Sequence, residues 1–374
     1  MPRPTLAVAD RRAQRAAVVG ALHDGRMSRS QLVERFGVSG ALITRVVRGL
    51  LDDGLVRELG VQTPSVGRPP MQLELSRGYG ALIAVSCTAD GVQIRSSDLH
   101  RKPLRELASP DRSAPPSPEA LVDLIGAVTA RTPSLMGIGV AVPGVVDADT
   151  GDVSEAPDLG WSGTVPLRTM LAERFRVPVT IDNDVNLMVT AERQTLPDPI
   201  RRNAVYLYLG ARGIGAGLVA GDRLVRGSHG GAGEIGLIPL GLGGAELSDF
   251  EDNVSTMAIA ARLDAAGHHI TGPVIPALLD LADAGDEFAI AVRRDIIAAF
   301  AHAVTLMTAI LDPAAVLLGG HARSFRESER AEIAASLGSH LPFRPEVMFA
   351  QHGPAAVLDA ARDRCWRNVL AGGL

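Results

Sequence analysis

From residue 80 onward, the chain alternates short apolar segments that end in glycine turns with longer segments of helical periodicity. The apolar segments are "GALIAVSC" at 80–87, "LMGIGVAVPG" at 135–144, "AVYLYLG" at 204–210 and "AAVLLGG" at 314–320. Strands that alternate with helices and end in glycine are typical of an α/β fold with a ligand cleft at the strand ends. A strand, a hairpin and a helix occur in this order near residue 80 and again near residue 204, which predicts two similar lobes around the cleft.

The first 70 residues differ from the rest of the chain in charge. They carry 11 arginines against six acidic residues, whereas the remainder is acidic. Helical spacing over 11–25 is followed by a helix that Ser28 caps, a left-handed turn at Gly37 and a second helix that Ser39 caps. A basic helix-turn-helix predicts DNA binding, and a small helical bundle for protein contacts is the alternative.

The second of these helices has an apolar stripe and a polar face. The stripe consists of Leu42, Ile43, Val46, Leu50 and Leu51. The segments "LVREL" and "MQLEL" alternate around a turn-rich loop and predict a wing. We expect the DNA contacts to come from the polar face and from an arginine in the wing loop that can reach a minor groove. These residues are Ser39, Thr44, Arg45, Arg48 and, in the wing, Arg68.

Five segments of the remaining chain resemble, in the same order, those of the ROK family of bacterial sugar kinases and sugar-responsive repressors. They are "GIGVAVPGVVD", "APDLGW", "IDNDVNLMVTAE", "YLYLGARGIGAGLVAGDRLVRGSHGGAGEIG" and "LDPAAVLLGG". The repressor branch of that family also carries a winged helix-turn-helix with a "GRP" wing, which matches residues 67–69. The resemblance implies a winged helix-turn-helix domain at 1–76, called the head below, and a two-lobed actin/hexokinase-like (ribonuclease H-like) domain at 77–374, called the body. Its lobes would be about 77–190 with a helix at 355–374, and 191–354.

The resemblance also implies a set of ligand-binding residues. Its "END" segment corresponds to Asn183 and Asp184, its "GEIG" glutamate to Glu234, and a further sugar-binding glutamate best matches Glu251. Asp158 stands where the family has an asparagine. Carboxylates and amides suit sugars because each can bind adjacent hydroxyls. Asp184 occupies the position of the kinase base, and the alternative roles are binding a hydroxyl or capping the helix that begins there.

The sequence departs from the kinase pattern in two places. Ser86 stands at the aspartate of the family's "DxGGT" phosphate turn, and the paired glycines are missing; a second glycine loop at 210–217 remains, but such loops also serve packing. Where the family has zinc ligands, the chain has Leu237, Leu242, Gly244 and Asp249. His229 has no sulfur partners and reads as a loop residue. We therefore expect no catalysis, with Asp184 as a vestigial base, no cofactor and no bound metal.

Together these features predict a DNA-binding transcriptional regulator, a repressor of carbohydrate metabolism. Its partners would be a double-stranded DNA operator, a sugar-like effector in the cleft and a second copy of the chain, in a homodimer or homotetramer. Two alternatives stay open: an ATP-dependent sugar kinase with a DNA-binding domain, and a regulator whose body only dimerises or binds a protein partner. The N-terminal segment lacks a signal-peptide pattern, and no uninterrupted run of roughly 18 apolar residues predicts a membrane span. We expect a cytoplasmic protein.

Overall fold

The computed structural model describes residues 6, 9–59, 71–89, 91–108, 115–132, 134–154, 156–240, 248–337 and 341–372. The described part of the head contains helices and a small antiparallel sheet in the order of a winged helix-turn-helix. These elements are α1 (Arg11–Asp24), β1 (Met27–Ser28), α2 (Arg29–Phe36), α3 (Gly40–Asp52), β2 (Val56–Leu59) and β3 (Gln72–Leu75). Strand β3 lies between β1 and β2. Arg68 and the rest of the wing loop lie outside the described residues.

The local signals in the head act as the sequence predicts. Ser28 and Gln31 form a capping box at the start of α2, and Gly37 ends that helix in the left-handed region with φ 62°. The Ser39 hydroxyl accepts the amide of Leu42 at the start of α3. The buried face of α3 is rotated from the predicted stripe. Val47 is fully buried, whereas Leu42 and Leu51 are half-buried, because α3 packs on both α1 and α2.

The body continues with strands and helices that alternate along the chain. Its first part contains β4 (Ala81–Thr88), β5 (Gly91–Asp98), β6 (Pro103–Ala108), α4 (Pro118–Thr129), β7 (Leu135–Val142), β8 (Val145–Val146), β9 (Val153–Ser154), α5 (Leu167–Phe175), β10 (Val179–Asn183) and α6 (Asp184–Glu192). Its second part contains β11 (Ala204–Leu209), β12 (Ile214–Ala220), β13 (Arg223–Val225), β14 (Pro239–Leu240), β15 (Ser248–Asp249), α7 (Phe250–Val254), α8 (Thr256–Ala265), α9 (Val274–Asp283), α10 (Glu287–Leu311), β16 (Ala315–Gly320), α11 (Glu327–Ala335) and β17 (Glu346–Phe349). Helix α12 (Ala356–Gly372) follows.

Two five-stranded sheets with the same strand arrangement form the centres of the two lobes. The first has the order β10-β7-β4-β5-β6 and the second the order β17-β16-β11-β12-β13. In each, the central strand, β4 or β11, pairs with an antiparallel hairpin on one side and with parallel strands on the other. This repeat confirms the prediction of two similar lobes. The parallel strands of both sheets end at the cleft between them, where α/β proteins place their ligands.

Helix α6 starts at the end of β10 and crosses to the second lobe. A Cβ atom on Gly217 of β12 would lie 2.7 Å from Val189 of α6, so this glycine permits the close approach of helix and strand. Part of the glycine loop at 210–217 therefore serves packing. At its other end, α6 is fixed by the fully buried Glu192, whose carboxylate accepts the amides of Gln351 and His352 at 3.0 and 2.6 Å.

Helix α10 is long and apolar enough, by length and composition, to cross a membrane, although charged residues interrupt its apolar sequence. Half of its most apolar segment is buried inside the protein. Phe300 and Val304 are fully buried in the core of the second lobe, against strands β11 and β16. The apolar character of α10 thus follows from its place as a core helix of this lobe.

Helix α12 lies between the first sheet and the head. A Cβ atom on Gly139 of β7 would clash with the carbonyl of Ala361, and one on Gly137 would lie 2.6 Å from the sulfur of Cys365. The missing side chains let the helix rest directly on the strand. On its other side, the Trp366 ring lies 5.1 Å from the ring of His23 in α1. Helix α12 thereby joins the body and the head in one apolar cluster.

Candidate ligand site between the lobes

A cavity of about 410 Å³ lies between the two lobes. Its size falls within the range of small-molecule sites. All five residues that the sequence assigns to ligand binding line this cavity: Asp158, Asn183, Asp184, Glu234 and Glu251. They come from separate parts of the chain, so the fold itself assembles the group.

Asn183 and Asp184 reach the cavity from the junction of β10 and α6. The Asn183 side-chain oxygen accepts the amide of Asn186 at 3.0 Å, and its nitrogen donates to the carbonyl of Gly144 at 3.0 Å. Asn183 is therefore the N-cap of α6, and the alternative in which Asp184 caps the helix is wrong. The Asp184 carboxylate accepts the adjacent amide of Val185 at 2.8 Å. A carboxylate has about four acceptor positions, so Asp184 can also accept hydroxyls of a ligand.

Glu234 and Glu251 come from the opposite lobe and depend on nearby glycines. The loop before Glu234 crosses to the first lobe, where a side chain on Gly230 would clash with the carbonyl of Val146. Glu251 accepts the amide of Ile214 at 3.4 Å, and a side chain on Gly236 would clash with its carboxylate. The glycines of "GGAGEIG" therefore leave space for close contacts with a backbone carbonyl and a carboxylate. Their role is not limited to making the loop flexible.

The cavity contains four carboxylates, and the pKa values of three of them are raised, so these three hold protons more tightly than usual. Burial raises the pKa of Asp184 to about 7, and the charges of Asp158 and Glu234 add to the shift. Burial and the charge of Glu251 raise the pKa of Glu234. Burial also raises the pKa of Glu251, partly opposed by its bond to the Ile214 amide. An arrangement of clustered acceptors that repel one another favours a neutral ligand with several O–H or N–H donors.

Asn186 is a cavity residue that the sequence reasoning missed. Its side chain is 4% exposed, and its amide oxygen has no hydrogen-bond partner within the described part of the chain. Buried polar atoms normally have partners, so an orphaned oxygen at a cavity wall marks a place for a ligand donor. Asn186 could have been predicted from its position three residues after Asn183, because residues three apart lie on the same side of a helix.

The positions that depart from the kinase pattern also lie near the cavity. Leu237 lines it with 58% of its surface exposed, in place of the family's histidine. Ser86 is buried in β4 and lines a smaller neighbouring cavity of about 160 Å³ that also includes Asp184. Asp249 precedes α7, while Leu242 and Gly244 fall outside the described residues. Because Leu237 carries no metal-binding atom, this set of side chains does not fit the zinc site of the family.

An ion-pair cluster behind the cavity was also missed. Arg226 donates to both carboxylate oxygens of Asp182, at 2.5 and 2.7 Å, and Arg364 of α12 lies 3.0 Å from the same carboxylate. Asp182 directly precedes Asn183, and Arg226 begins the loop that ends at Glu234. The ion pair between Asp182 and Arg226 thus connects the two walls of the cavity. A charged residue inside the apolar strand "VPVTID" was its only sequence signal.

On the head, the predicted DNA-contacting residues that are described share one exposed face. Thr44, Arg45 and Arg48 are exposed on α3, opposite the buried Ile43, Val46, Val47 and Leu50. Ser39 is also exposed, but its hydroxyl caps α3. The face therefore exposes two arginines and a threonine, residue types that can bind base edges, with Ser39 at its edge.

Comparison with known proteins connects these features to characterised groups. The chain is 29% identical over 217 residues to the xylose repressor of Caldicellulosiruptor bescii, covering 56% of this chain and 54% of that protein. It is 28% identical over 229 residues to the transcriptional dual regulator NagC of Escherichia coli strain K12, covering 58% and 55%. The chain thus spans little more than half the length of these curated relatives.

Solved structures match over more of the chain. A ROK family transcriptional regulator described as a homolog of the E. coli MLC protein has a TM-score of 0.75 at 20% identity, over 97% of this chain and 99% of that one. A ROK hexokinase from Thermus thermophilus has a TM-score of 0.64 at 22% identity, over 78% and 100%. These neighbours confirm the predicted fold. The ROK family model matches residues 94–359. The chain therefore belongs to the ROK family.

Proposed function

We propose that this protein is a cytoplasmic DNA-binding transcriptional regulator that represses genes of carbohydrate metabolism and is controlled by a sugar or sugar derivative. Residues 1–76 would bind the operator, and residues 77–374 would bind the effector and form a homodimer or homotetramer. Two copies are expected because winged helix-turn-helix heads generally read paired half-sites. The named relatives, a xylose repressor and NagC, support this assignment.

The observation that carries the proposal is that one cavity between the lobes brings together Asp158, Asn183, Asp184, Glu234 and Glu251. A group of carboxylates and amides is complementary to the hydroxyls of a sugar, because each can bind adjacent hydroxyls. Burial and neighbouring carboxylates raise the pKa values of Asp184 and Glu234, so an uncharged polyol fits this group better than an acidic molecule. Binding across the cleft would favour one lobe arrangement and so bias the placement of the heads.

The residues at the position of the family's phosphate-binding turn favour a regulator over a sugar kinase. Phosphoryl transfer needs backbone amides around the phosphates and a carboxylate for Mg²⁺. Here Ser86 stands at the carboxylate position. Asp184 remains near both cavities, and we assign it to hydroxyl binding rather than to proton abstraction.

The test combines DNA binding, sugar binding and phosphorylation on the full chain. Gel shifts with the upstream region of its own gene should show a complex that D-xylose, N-acetylglucosamine, glucose or one of their phosphates weakens or strengthens. One of these sugars should also raise the melting temperature, because a ligand that binds only the folded state stabilises it. Sugar-dependent consumption of ATP would identify a kinase instead. DNA binding with no thermal response to any sugar would favour a body that only dimerises or binds a protein.

A further inference from the structure

The Asp182 carboxylate is shared by two arginines from different parts of the body. Arg226 forms a two-point pair with it, and Arg364 contacts the oxygen that Arg226 Nη2 also uses. The other oxygen accepts the backbone amide of Asn183 at 3.0 Å. Asp182 is 1% exposed, so its carboxylate makes these contacts away from bulk water, where they are strong and geometrically demanding.

The cluster lies at the point where both walls of the cavity begin. Asp182 is followed by Asn183 and Asp184, which line the cavity. On the other side, the Arg226 carbonyl accepts the amide of Ala232 at 3.0 Å, closing the loop that presents Glu234. Any ligand that draws this loop toward α6 must therefore change the position of the Arg226 guanidinium relative to Asp182.

Helix α12 carries the third member of the cluster and also contacts the head. Arg364 and Trp366 are two residues apart, which places them roughly 200° apart around a helix. Arg364 faces Asp182, while Trp366 packs against His23 and shares an apolar cluster with Val18 and Leu22 of α1. Because α12 rests directly on Gly137 and Gly139, it has little room to deform.

We propose that Asp182, Arg226 and Arg364 form a relay that passes the state of the interlobe cavity to the head through α12. In this relay, movement of the loop between Arg226 and Glu234 weakens or strengthens the ion pair of Arg226 with Asp182. Arg364 then adjusts to the carboxylate, and α12 shifts the surface on which α1 rests. The part of this proposal in which a bound effector alters the head rests on the proposed function. The mechanical link between Arg226 and the head can be tested without any ligand.

The first experiment measures hydrogen–deuterium exchange in the ligand-free full chain. Arg226→Met should increase exchange in α12 around 361–366 and in the part of α1 around His23. The control, Arg223→Met, removes an exposed arginine three residues earlier on β13 and should leave both helices unchanged. A response of Arg226→Met confined to residues near 182–184 and 226–234 would overturn the relay. Thermal unfolding confirms that both variants are folded.

The second experiment measures coupling between sugar and DNA. It uses whichever panel sugar stabilises the wild type and compares the operator Kd with and without that sugar. Allosteric ratios are typically about 5–150. Arg364→Met should bring the ratio to within about 2-fold of unity, while Arg367→Met, at an exposed position of α12, should keep the wild-type ratio. An unchanged ratio in Arg364→Met would refute the relay. If no sugar stabilises the wild type, the proposed effector fails, and the exchange experiment alone decides the relay.

Discussion

The Asn183 side-chain oxygen accepts the backbone amide of Asn186, so one residue both caps α6 and lines the cavity between the lobes. Asn183→Ala should therefore cost about 1 kcal/mol of stability through the lost cap and also weaken the response to sugar. Asn183→Ser retains a capping hydroxyl and should restore stability without restoring sugar binding. Thermal unfolding and sugar titration of the two variants separate the roles. Equal sugar affinity in Asn183→Ser and the wild type would remove Asn183 from the ligand site.

Glu234→Ala should weaken sugar binding by roughly 10-fold or more, since hydrogen bonds to charged groups are worth about 1.5–3 kcal/mol. Operator binding without sugar should stay within about 2-fold of the wild type, because the head is untouched. Calorimetry with the sugar identified in the thermal scan gives the affinity. Glu173→Ala, at an exposed position of α5, is the matched control and should bind sugar normally.

Asp184→Asn should stabilise the protein at alkaline pH more than at acid pH. The pKa of Asp184 is raised to about 7 in the folded protein, so folding favours its protonated form. The associated stability is present below the unfolded pKa of about 4 and is lost as pH rises through 7. The melting temperature of Asp184→Asn minus that of the wild type should therefore grow by about 3 °C or more between pH 5 and pH 8.5. A difference that does not vary with pH would contradict a buried, protonated Asp184.

His23 should give the opposite dependence on pH. Burial lowers its pKa to about 4, and the charge of Arg101 adds to the shift, partly opposed by Asp363. Stability is present above the unfolded pKa of about 6.5 and is lost as pH falls toward 4. Between pH 6.5 and pH 4.5, the wild type should lose more thermal stability than His23→Phe, which keeps an aromatic ring beside Trp366. Parallel melting curves for the two proteins would show that this contact does not exclude a charged imidazole.

Arg45→Ala should weaken operator binding by about 10- to 100-fold and leave sugar affinity unchanged. The reason is that Arg45 lies at the exposed centre of α3 and has no part in the head's core. Arg105→Ala, on the edge strand β6 of the body, removes the same charge away from the head and serves as the control. Gel shifts at two salt concentrations distinguish a base contact from a phosphate contact. An equal loss for both variants would indicate an effect of net charge alone.

The elements that local chemistry determines could be predicted, and those that depend on distant partners could not. Ser28, Gly37 and Ser39 act through neighbours three or four residues away, so their helix boundaries follow from sequence. Strand β1 was missed because two residues show no alternation and the strand exists only through pairing with β3. Val47 was missed because tertiary packing, not spacing, decides which side of α3 is buried.

The candidate site divides in the same way. Its five acidic and amide residues could be predicted because the segments that carry them resemble a known family, and the fold then brings them to one cavity. The charged cluster joins Asp182, Arg226 and Arg364 across long stretches of chain, and no spacing rule links them. Only the packing of α12 on Gly137 and Gly139 brings the third of these residues into place.

The position of α12 has a consequence for biosynthesis. The groove that Gly137 and Gly139 leave on the first sheet is filled by a helix that the ribosome makes only after the entire second lobe. Until then, the apolar side of α1 also lacks Trp366 and Val369, its partners in the body. Domains generally fold as they emerge during synthesis, whereas α1 gains this contact only once α12 has been made. A polypeptide interrupted before α12 thus carries a head that lacks its docking surface on Trp366 and Val369, so contact between α1 and α12 reports that the second lobe has already been synthesised.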